Sequence, residues 1–228
     1  MRITSLNLRG LFDWDARRDR VVAALRALDP DVVLFQEDVY LPDVSPWSPV
    51  SLLNRELGYP VRHESITRLQ RGRVHADYRE GLGLLSKHPV NATEALVLRH
   101  EEADPHHRIV QLADVHAADE VWPLMNVHLS VKDAFALQHL GEALRIVRSR
   151  DEQRILGGDF NVNHLERHRG LWPGAVLTTE VVPYESHPGT DETDDYFLVP
   201  DRWTIDHVEV SGDGLSDHRA VTVDLSRV

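Results

Sequence analysis

The sequence has 228 residues, of which 42% are hydrophobic and 27% charged, and this composition is typical of one globular domain spanning residues 1–228. The absence of cysteine excludes disulfides, thiolate zinc sites and cysteine nucleophiles. The 37 acidic residues outnumber the 25 Lys and Arg residues, which gives a net charge of -12 and opposes non-specific attraction to a polyanion.

The chain has no apolar run that approaches the roughly 18 residues needed to cross a bilayer. Its first ten residues are polar too early for a signal peptide. We therefore expect a soluble, cytoplasmic protein that does not insert into membranes, and the sequence leaves its oligomeric state open.

The predicted elements begin with an alternating strand at residues 2–8, followed by a helix at 15–28 that Pro30 ends and a buried strand at 31–37. The further predicted elements are a helix at 48–58, strands at 81–86, 108–115 and 121–129, a helix at 132–150, and strands at 154–159, 204–210 and 220–225. Residues 183–202 are predicted to form a long irregular loop, although 195–199 also resembles an acid that leads into a strand. Because strand follows strand as often as helix follows strand, this order favours an α/β sandwich of mixed sheets over a doubly wound parallel sheet.

Short polar side chains stand where several of the predicted strands end, and such positions suit a functional site. They are Asn7, Glu37, Asn126 with His128, and Asp159 with Asn161. In an extended segment, residues two apart point to the same side, so Asp159 and Asn161 are expected to address one ligand. The glycines before Asp159 permit close backbone approach.

The C-terminal segment adds two acids and two histidines, Asp206-His207 and Asp217-His218, separated by a Gly-rich turn. A hairpin would bring the pairs together. A buried aspartate that accepts a hydrogen bond from one imidazole nitrogen fixes the tautomer and raises the basicity of the other nitrogen. We predict a dyad of Asp206 with His218, and Asp195 is the rival acid.

Taken in chain order, these motifs resemble those of the endonuclease/exonuclease/phosphatase superfamily, whose members include pancreatic deoxyribonuclease. The matching segments are Asn7, Gln36-Glu37, Asn126-Val-His-Leu129, Gly158-Asp-Phe-Asn161, Ile205-Asp-His207 and Ser216-Asp-His218. The resemblance implies a four-layer α/β sandwich of two mixed β-sheets flanked by helices. It also implies a divalent-metal-dependent hydrolase of phosphate esters.

The resemblance further implies a role for each site residue. Glu37 is expected to be the principal ligand of Mg²⁺ or Mn²⁺, with Asp217 close to the ion, and Asp159 to orient or deprotonate the attacking water. The other expected roles are hydrogen bonding to ligand oxygens or to Asp159 (Asn7, Asn161), phosphate contact or protonation of the leaving group (His128), stabilisation of the transition state (His218, oriented by Asp206), and orientation of His128 or substrate (Glu80, Asn126).

The sequence leaves the substrate open between a nucleic acid, which many members of the superfamily cut, and a small or lipid-derived phosphate ester, which suits the acidic composition better. The dinuclear metallophosphatases are excluded because the chain lacks Asp-x-His near the first strand and Gly-Asn-His. A non-catalytic binding module on the same fold is disfavoured because the chain keeps every residue that the chemistry needs.

Two runs of charged residues are candidate binding sites for ions. The basic run of Arg68, Arg71, Arg73, His75 and Arg79, and the acidic run of residues 191–195, could hold phosphate and a second cation respectively. Solvated surface is the simpler interpretation of both. His106 and His107 have no metal-ligand spacing.

Overall fold

The computed structural model describes residues 1–41, 43, 45–70, 78–100 and 107–228 of the chain. The strands of these residues are β1 (Arg2–Asn7), β2 (Val32–Tyr40), β3 (Val61–Gln70), β4 (Tyr78–Ser86), β5 (Val90–Val97), β6 (Ile109–Ala117), β7 (Glu120–His128), β8 (Ile155–Asp159), β9 (Ala175–Leu177), β10 (Asp195–Pro200), β11 (Trp203–Val210) and β12 (Val221–Arg227). The helices are α1 (Trp14–Leu28), α2 (Pro49–Leu57), α3 (Asp133–Ser149) and α4 (Thr178–Val181), with a 3₁₀ helix at Leu165–Leu171. Arg71, Arg73, His75, His106 and the side chain of Arg68 lie outside the described part of the chain.

The strands form two mixed six-stranded sheets. The first has the order β11-β12-β1-β2-β4-β3 and the second the order β5-β6-β7-β8-β10-β9. The pairs β1/β2 and β7/β8 are parallel, and the sheets otherwise grow by antiparallel neighbours such as β2/β4 and β6/β7. The predicted mixed-sheet sandwich is confirmed.

Alternate side chains of β2 pack into two different layers of the core. Val33 and Phe35 pack with α1 and α2 on the outer face of the first sheet, whereas Val32 and Leu34 pack against the second sheet. Successive residues of a strand point to opposite faces, so a continuous apolar run marks a strand that is buried on both sides.

Helix α3 covers the outer face of the second sheet and completes the four layers. Its buried Ala136, Leu140 and Ala143 recur at helical spacing, and they belong to the same core cluster as Met125 and Val127 of β7. No helix of the described residues is long and apolar enough to cross a membrane.

A buried amide joins the two sheets beneath the site. The Asn126 Nδ2 atom on β7 donates to the carbonyl oxygens of Phe35 at 3.0 Å and Gly83 at 3.1 Å in the first sheet. The Asn126 Oδ1 atom accepts from Gln36 Nε2 at 2.8 Å. These contacts make Asn126, a candidate orienting residue, a bridge between β2 and β7.

The elements missed by the sequence interpretation are mainly edge strands. Strands β3, β5 and β9 lie at sheet edges, and β5 is mostly exposed, so such a strand needs no apolar alternation. The predicted irregular loop at 183–202 was wrong at its C-terminal part, because β10 is buried along its whole length.

Candidate active site

The predicted strand-end residues converge because the carboxyl ends of the two parallel strand pairs meet at one edge of the sandwich. In the second sheet, β7 and β8 place His128 beside Asp159. In the first sheet, β1 ends at Asn7. The Asn7 Nδ2 atom donates to the Asp159 Oδ2 atom at 2.9 Å, so a side-chain hydrogen bond connects the two sheets at the centre of the site.

Asp159 is the buried centre of this group, with 1% of its surface exposed. Its Oδ2 atom lies 3.4 Å from His128 Nε2 and 4.0 Å from His218 Nε2. Burial raises the pKa of Asp159 to about 7, against the opposing effects of His218 and of the hydrogen bond from Asn7. A carboxylate with a pKa near 7 can both accept and return a proton at neutral pH.

Two glycines allow the backbone around Asp159 to pack this closely. Gly158 has a φ of +145°, and a Cβ atom there would lie 2.0 Å from the Val127 carbonyl oxygen. A Cβ atom on Gly157 would lie 2.4 Å from the Phe197 ring. The close backbone approach predicted from the sequence is therefore confirmed at Gly158.

Asn161 braces Asp159 from outside the strand. β8 ends at Asp159 and Asn161 has a φ of +51°, so the expected extended conformation through Asn161 is wrong. Its backbone N–H donates to Asp159 Oδ1 at 2.9 Å, and its Nδ2 atom donates to the Leu129 carbonyl oxygen at 3.1 Å. Both oxygens of the Asp159 carboxylate thus have a fixed partner.

His218 is paired with Asp195, the first residue of β10. The His218 Nδ1 atom lies 2.8 Å from Asp195 Oδ2, and the Asp195 side chain is fully buried. Burial by itself lowers the pKa of His218, but the charge and hydrogen bond of Asp195, together with the smaller effects of Asp159 and Asp217, outweigh it and raise the pKa to about 10. His218 is therefore a cation at neutral pH, close to Asp159.

The predicted dyad of Asp206 with His218 was wrong. Asp206 is exposed at a bulge in β11 near Asp224 of β12, and its Oδ1 atom accepts from Ser226 Oγ at 2.9 Å. Asp224 lies three residues inside β12, about 10 Å along the strand from its first residue Val221, and His218 belongs to the bent segment before that residue. The predicted hairpin exists, but its register places Asp206 in the middle of β11, where the side chain is exposed and bonded to Ser226 instead of to His218.

The acidic run at residues 191–195, which ends at the first residue of β10, supplies two of the charges at the site. The His187 ring packs against His218 at a tilt of 57° with ring centroids 4.1 Å apart, and its Nε2 atom lies 3.3 Å from Asp194 Oδ2. The hydrogen bond with Asp194 raises the pKa of His187. Asp194 and Asp195 are therefore partners of histidines, and solvated surface was the wrong interpretation for both.

Glu37 lies where β2 bulges, with a φ of +54°. Its Oε1 atom accepts from Asn7 Nδ2 at 3.3 Å. Burial and the nearby Glu80 raise the pKa of Glu37. The Glu80 Oε1 atom lies 4.0 Å from Arg108 Nη1, and its pairing with His128 stays a prediction.

Asp217 is held by a residue that the sequence interpretation missed. Arg9 Nε lies 3.0 Å from Asp217 Oδ2, and Ser216 Oγ donates to Asp217 Oδ1 at 2.9 Å. The Arg9 backbone N–H donates to Asn7 Oδ1 at 2.9 Å. Arg9 thus links the end of β1 to the loop that carries Asp217.

A second missed residue, the buried Arg17 of α1, holds the same two loops together. Arg17 Nη2 donates to the Leu8 carbonyl oxygen at 2.9 Å, and Nη1 donates to that of Leu215 at 2.6 Å. Arg17 Nε and Nη2 also donate to the Phe12 carbonyl oxygen. The sequence carries a signal for this residue, because Arg17 stands four positions before Val21 on the apolar stripe of α1.

One group of the described residues brings three possible metal ligands together. Ligand atoms of Asp159, Asp195 and His218 lie within 4.8 Å of one another. Metal-ligating histidine must be neutral, and the raised pKa of His218 opposes this. The hydrogen bond between His218 and Asp195 already explains their proximity.

Comparison with known proteins identifies a protein family whose profile matches nearly the whole chain. The sequence profile of the endonuclease/exonuclease/phosphatase family matches residues 4–218. No curated protein sequence matches the chain.

Solved structures show the same fold. An endonuclease/exonuclease/phosphatase from Beutenbergia cavernae DSM 12333 superposes with a TM-score of 0.81 at 19% identity, covering 100% of this chain and 71% of that chain. D. rerio TDP2 complexed with single strand DNA product has a TM-score of 0.70 at 21% identity and covers 99% and 98% respectively. The mannosyl-6-phosphatase Bt3783 of Bacteroides thetaiotaomicron VPI-5482 has a TM-score of 0.73 at 14% identity and covers 99% of both chains.

Proposed function

The chain belongs to the endonuclease/exonuclease/phosphatase family, and from this membership we propose that it is a divalent-metal-dependent phosphoesterase that cleaves a phosphodiester. The single observation that carries the proposal is the environment of Asp159. This carboxylate is buried, has a pKa raised to about 7, and lies between Asn7, His128 and His218. A group of this kind is suited to proton transfer from water.

The site residues have complementary roles in this proposal. Asp159 orients or deprotonates the attacking water, and Asn7 and Asn161 hold its carboxylate in place. His128 contacts the phosphate or protonates the leaving group. His218 carries positive charge at neutral pH and stabilises the negative charge of the pentacovalent transition state. Asp195 takes the orienting role first given to Asp206.

The residues around Glu37 fit a divalent cation. Glu37 and Glu80 line one cavity, and the charge of Glu80 helps to raise the pKa of Glu37, so a bound cation would relieve this repulsion. Mg²⁺ prefers oxygen ligands and retains several waters, which suits Glu37 as the principal ligand with Asp217 nearby. When bound, Mg²⁺ or Mn²⁺ would neutralise charge on the phosphate oxygens.

Two substrate classes are compatible with this chemistry. Nucleic acid is the first, because D. rerio TDP2 was solved with a single-strand DNA product. A small or lipid-derived phosphate ester is the alternative, favoured by the net charge of -12, which provides few counterion-releasing contacts. The whole chain is proposed to act as one domain.

The proposal is tested by assaying hydrolysis of bis(p-nitrophenyl) phosphate, single-stranded DNA and plasmid DNA with Mg²⁺, Mn²⁺ or EDTA. Asp159→Asn and His218→Gln should each lower kcat by roughly 10² or more, the scale of losing an acid–base group. Asp206→Asn and His207→Gln are matched controls on exposed residues and should retain activity. A folded protein that hydrolyses none of these substrates and binds no divalent ion would favour the non-catalytic binding module instead.

The metal assignment has a separate test, because two groups of residues compete for it. Mn²⁺ affinity is measured by calorimetry for the wild type, Glu37→Gln and Asp195→Asn. If Glu37 is the principal ligand, Glu37→Gln weakens Mn²⁺ binding at least about tenfold and Asp195→Asn leaves it unchanged. The opposite pattern would place the ion in the group of Asp159, Asp195 and His218.

A further inference from the structure

The cavity that Glu37 and Glu80 line extends beyond the proposed metal site, and the proposed chemistry assigns no role to the rest of its wall. Its volume is about 510 Å³, and Glu37 and Glu80 form part of its wall. This volume falls within the range of ligand pockets, roughly 300–1,000 Å³. Since Glu37 belongs both to this cavity and to the proposed metal site, a group attached to the reacting phosphate can enter it directly.

The remaining wall is largely apolar. It is formed by side chains from the loop after β1, from β2 and the residue that follows it, and from the start of β4, namely Leu11, Phe12, Val39, Leu41 and Tyr78. Phe12 is 56% exposed, although a large aromatic side chain normally gains free energy from burial. A concave, mostly apolar cavity with an accessible ring on its wall is typical of a ligand site.

The backbone of this loop is fixed, so the exposure of Phe12 is built into the fold. Arg17 Nε donates to the Phe12 carbonyl oxygen at 2.9 Å. At Gly10 a Cβ atom would lie 2.8 Å from Val39 Cγ2, so the loop rests directly on β2. The Arg9 guanidinium lies over the Phe12 ring, 4.1 Å from its centroid. This contact holds the Phe12 side chain at the cavity wall.

The charges at the cavity disfavour a second phosphate. Among the described residues of its wall, Arg9 is the one cation, whereas Asp13, Glu37 and Glu80 are acidic. Arg9 is also paired with Asp217 at 3.0 Å. The group that fits this wall is therefore uncharged, flat and apolar enough to cover Phe12.

We propose that the cavity formed by Phe12, Leu11, Val39, Leu41 and Tyr78 binds a flat, uncharged aromatic group of the phosphate-ester substrate. This inference rests on the proposed function and narrows its substrate class. Two sources share this chemistry, the base of a nucleotide and a phenolic aryl group. Stacking on Phe12 supplies the affinity in either case.

Direct binding tests the inference without requiring turnover. Calorimetry with Ca²⁺ present compares phenylphosphonate with methylphosphonate, and thymidine 5′-monophosphate with deoxyribose 5-phosphate. The wild type should bind at least one aromatic probe about tenfold more tightly than its partner lacking the ring, as expected for one aromatic stacking contact. The probe pair that shows the preference identifies the source of the ring.

Variants of the exposed ring make the result specific. Phe12→Ala should abolish the preference and Phe12→Tyr should keep it. Val97→Ala is a matched control because Val97 is 69% exposed on β5 of the other sheet. Equal affinities within both probe pairs for the wild type, or a preference that survives Phe12→Ala, would overturn the inference. If the protein prefers the probes that carry a ring but hydrolyses no phosphate ester, the inferred binding site stands and the proposed function is refuted.

Discussion

Replacing Asp195 by asparagine separates the pairing seen in the structure from the pairing expected from the sequence. Asparagine has nearly the same shape as aspartate but no charge, and Asp195 is completely buried 2.8 Å from His218. The substitution therefore removes the largest of the charges that raise the pKa of His218. It leaves the burial that lowers the pKa and the smaller raising effects of Asp159 and Asp217. We expect His218 in Asp195→Asn to titrate far below its wild-type pKa of about 10, close to the ordinary value of a histidine.

The size of the effect follows from this change. With a pKa of about 10, His218 is almost fully charged at pH 8, whereas a histidine with a pKa of roughly 6.5 is charged in about 3% of molecules at that pH. We expect the loss of charge to lower kcat at pH 8 by up to about 30-fold, and kcat to fall further if the imidazole also loses its orientation. Hydrolysis of bis(p-nitrophenyl) phosphate gives kcat, and NMR titration of the imidazole, assigned with His218→Gln, gives the pKa.

The matched control is Asp206→Asn, which removes the same charge from an exposed position. We expect its kcat to stay within about twofold of the wild type and its free energy of unfolding to change by less than about 0.5 kcal/mol. Full activity of Asp195→Asn with a His218 that still titrates well above 7 would refute the pairing as the source of that charge. Loss of activity in Asp206→Asn, with full activity in Asp195→Asn, would support the predicted dyad of Asp206 with His218 instead.

Three further substitutions test the parts of the structure that hold the site. Arg17→Met leaves the carbonyls of two loops without their donor, so we expect about a tenfold lower kcat and a free energy of unfolding lower by about 2–4 kcal/mol in urea denaturation. Asn126→Ala removes the bridge between the sheets and should cost about 2–3 kcal/mol by the same measurement. Burial, and to a smaller degree Glu64, raise the pKa of Asp38 from 3.8 to about 7. Because the pKa is higher in the folded state, the wild type loses stability as the pH rises from about 4 to about 7. Above pH 7, Asp38→Asn should therefore be more stable than the wild type by up to about 4 kcal/mol.

Each of these three expectations has a clear counter-result. Wild-type kcat and stability in Arg17→Met would show that the contacts of Arg17 with both loops are unnecessary. An unfolding free energy of Asn126→Ala equal to that of the wild type would mean that water replaces the amide. A difference between Asp38→Asn and the wild type that does not change between pH 4 and pH 8 would contradict the raised pKa.

Local patterns in the sequence were sufficient for much of the fold and for the location of the site. The apolar stripe of α1, the Ser48 cap and Gly58 end of α2, and the apolar runs of the central strands all arise from short-range physics, and the structure contains them. Polar residues at strand ends were sufficient to place Asn7, His128 and Asp159 together, because the parallel strands within each sheet end at the same edge.

Only the tertiary structure decided which side chains are partners. His218 lies closer in sequence to Asp206 than to Asp195, yet the hairpin register carries Asp206 away and the antiparallel pairing of β10 with β8 places Asp195 beside Asp159. Arg17 likewise joins loops about 200 positions apart in the chain. Spacing along the chain determines which elements form and which way a side chain faces. Contacts between elements depend on strand register and on how layers stack, and these are fixed by the burial of the whole core.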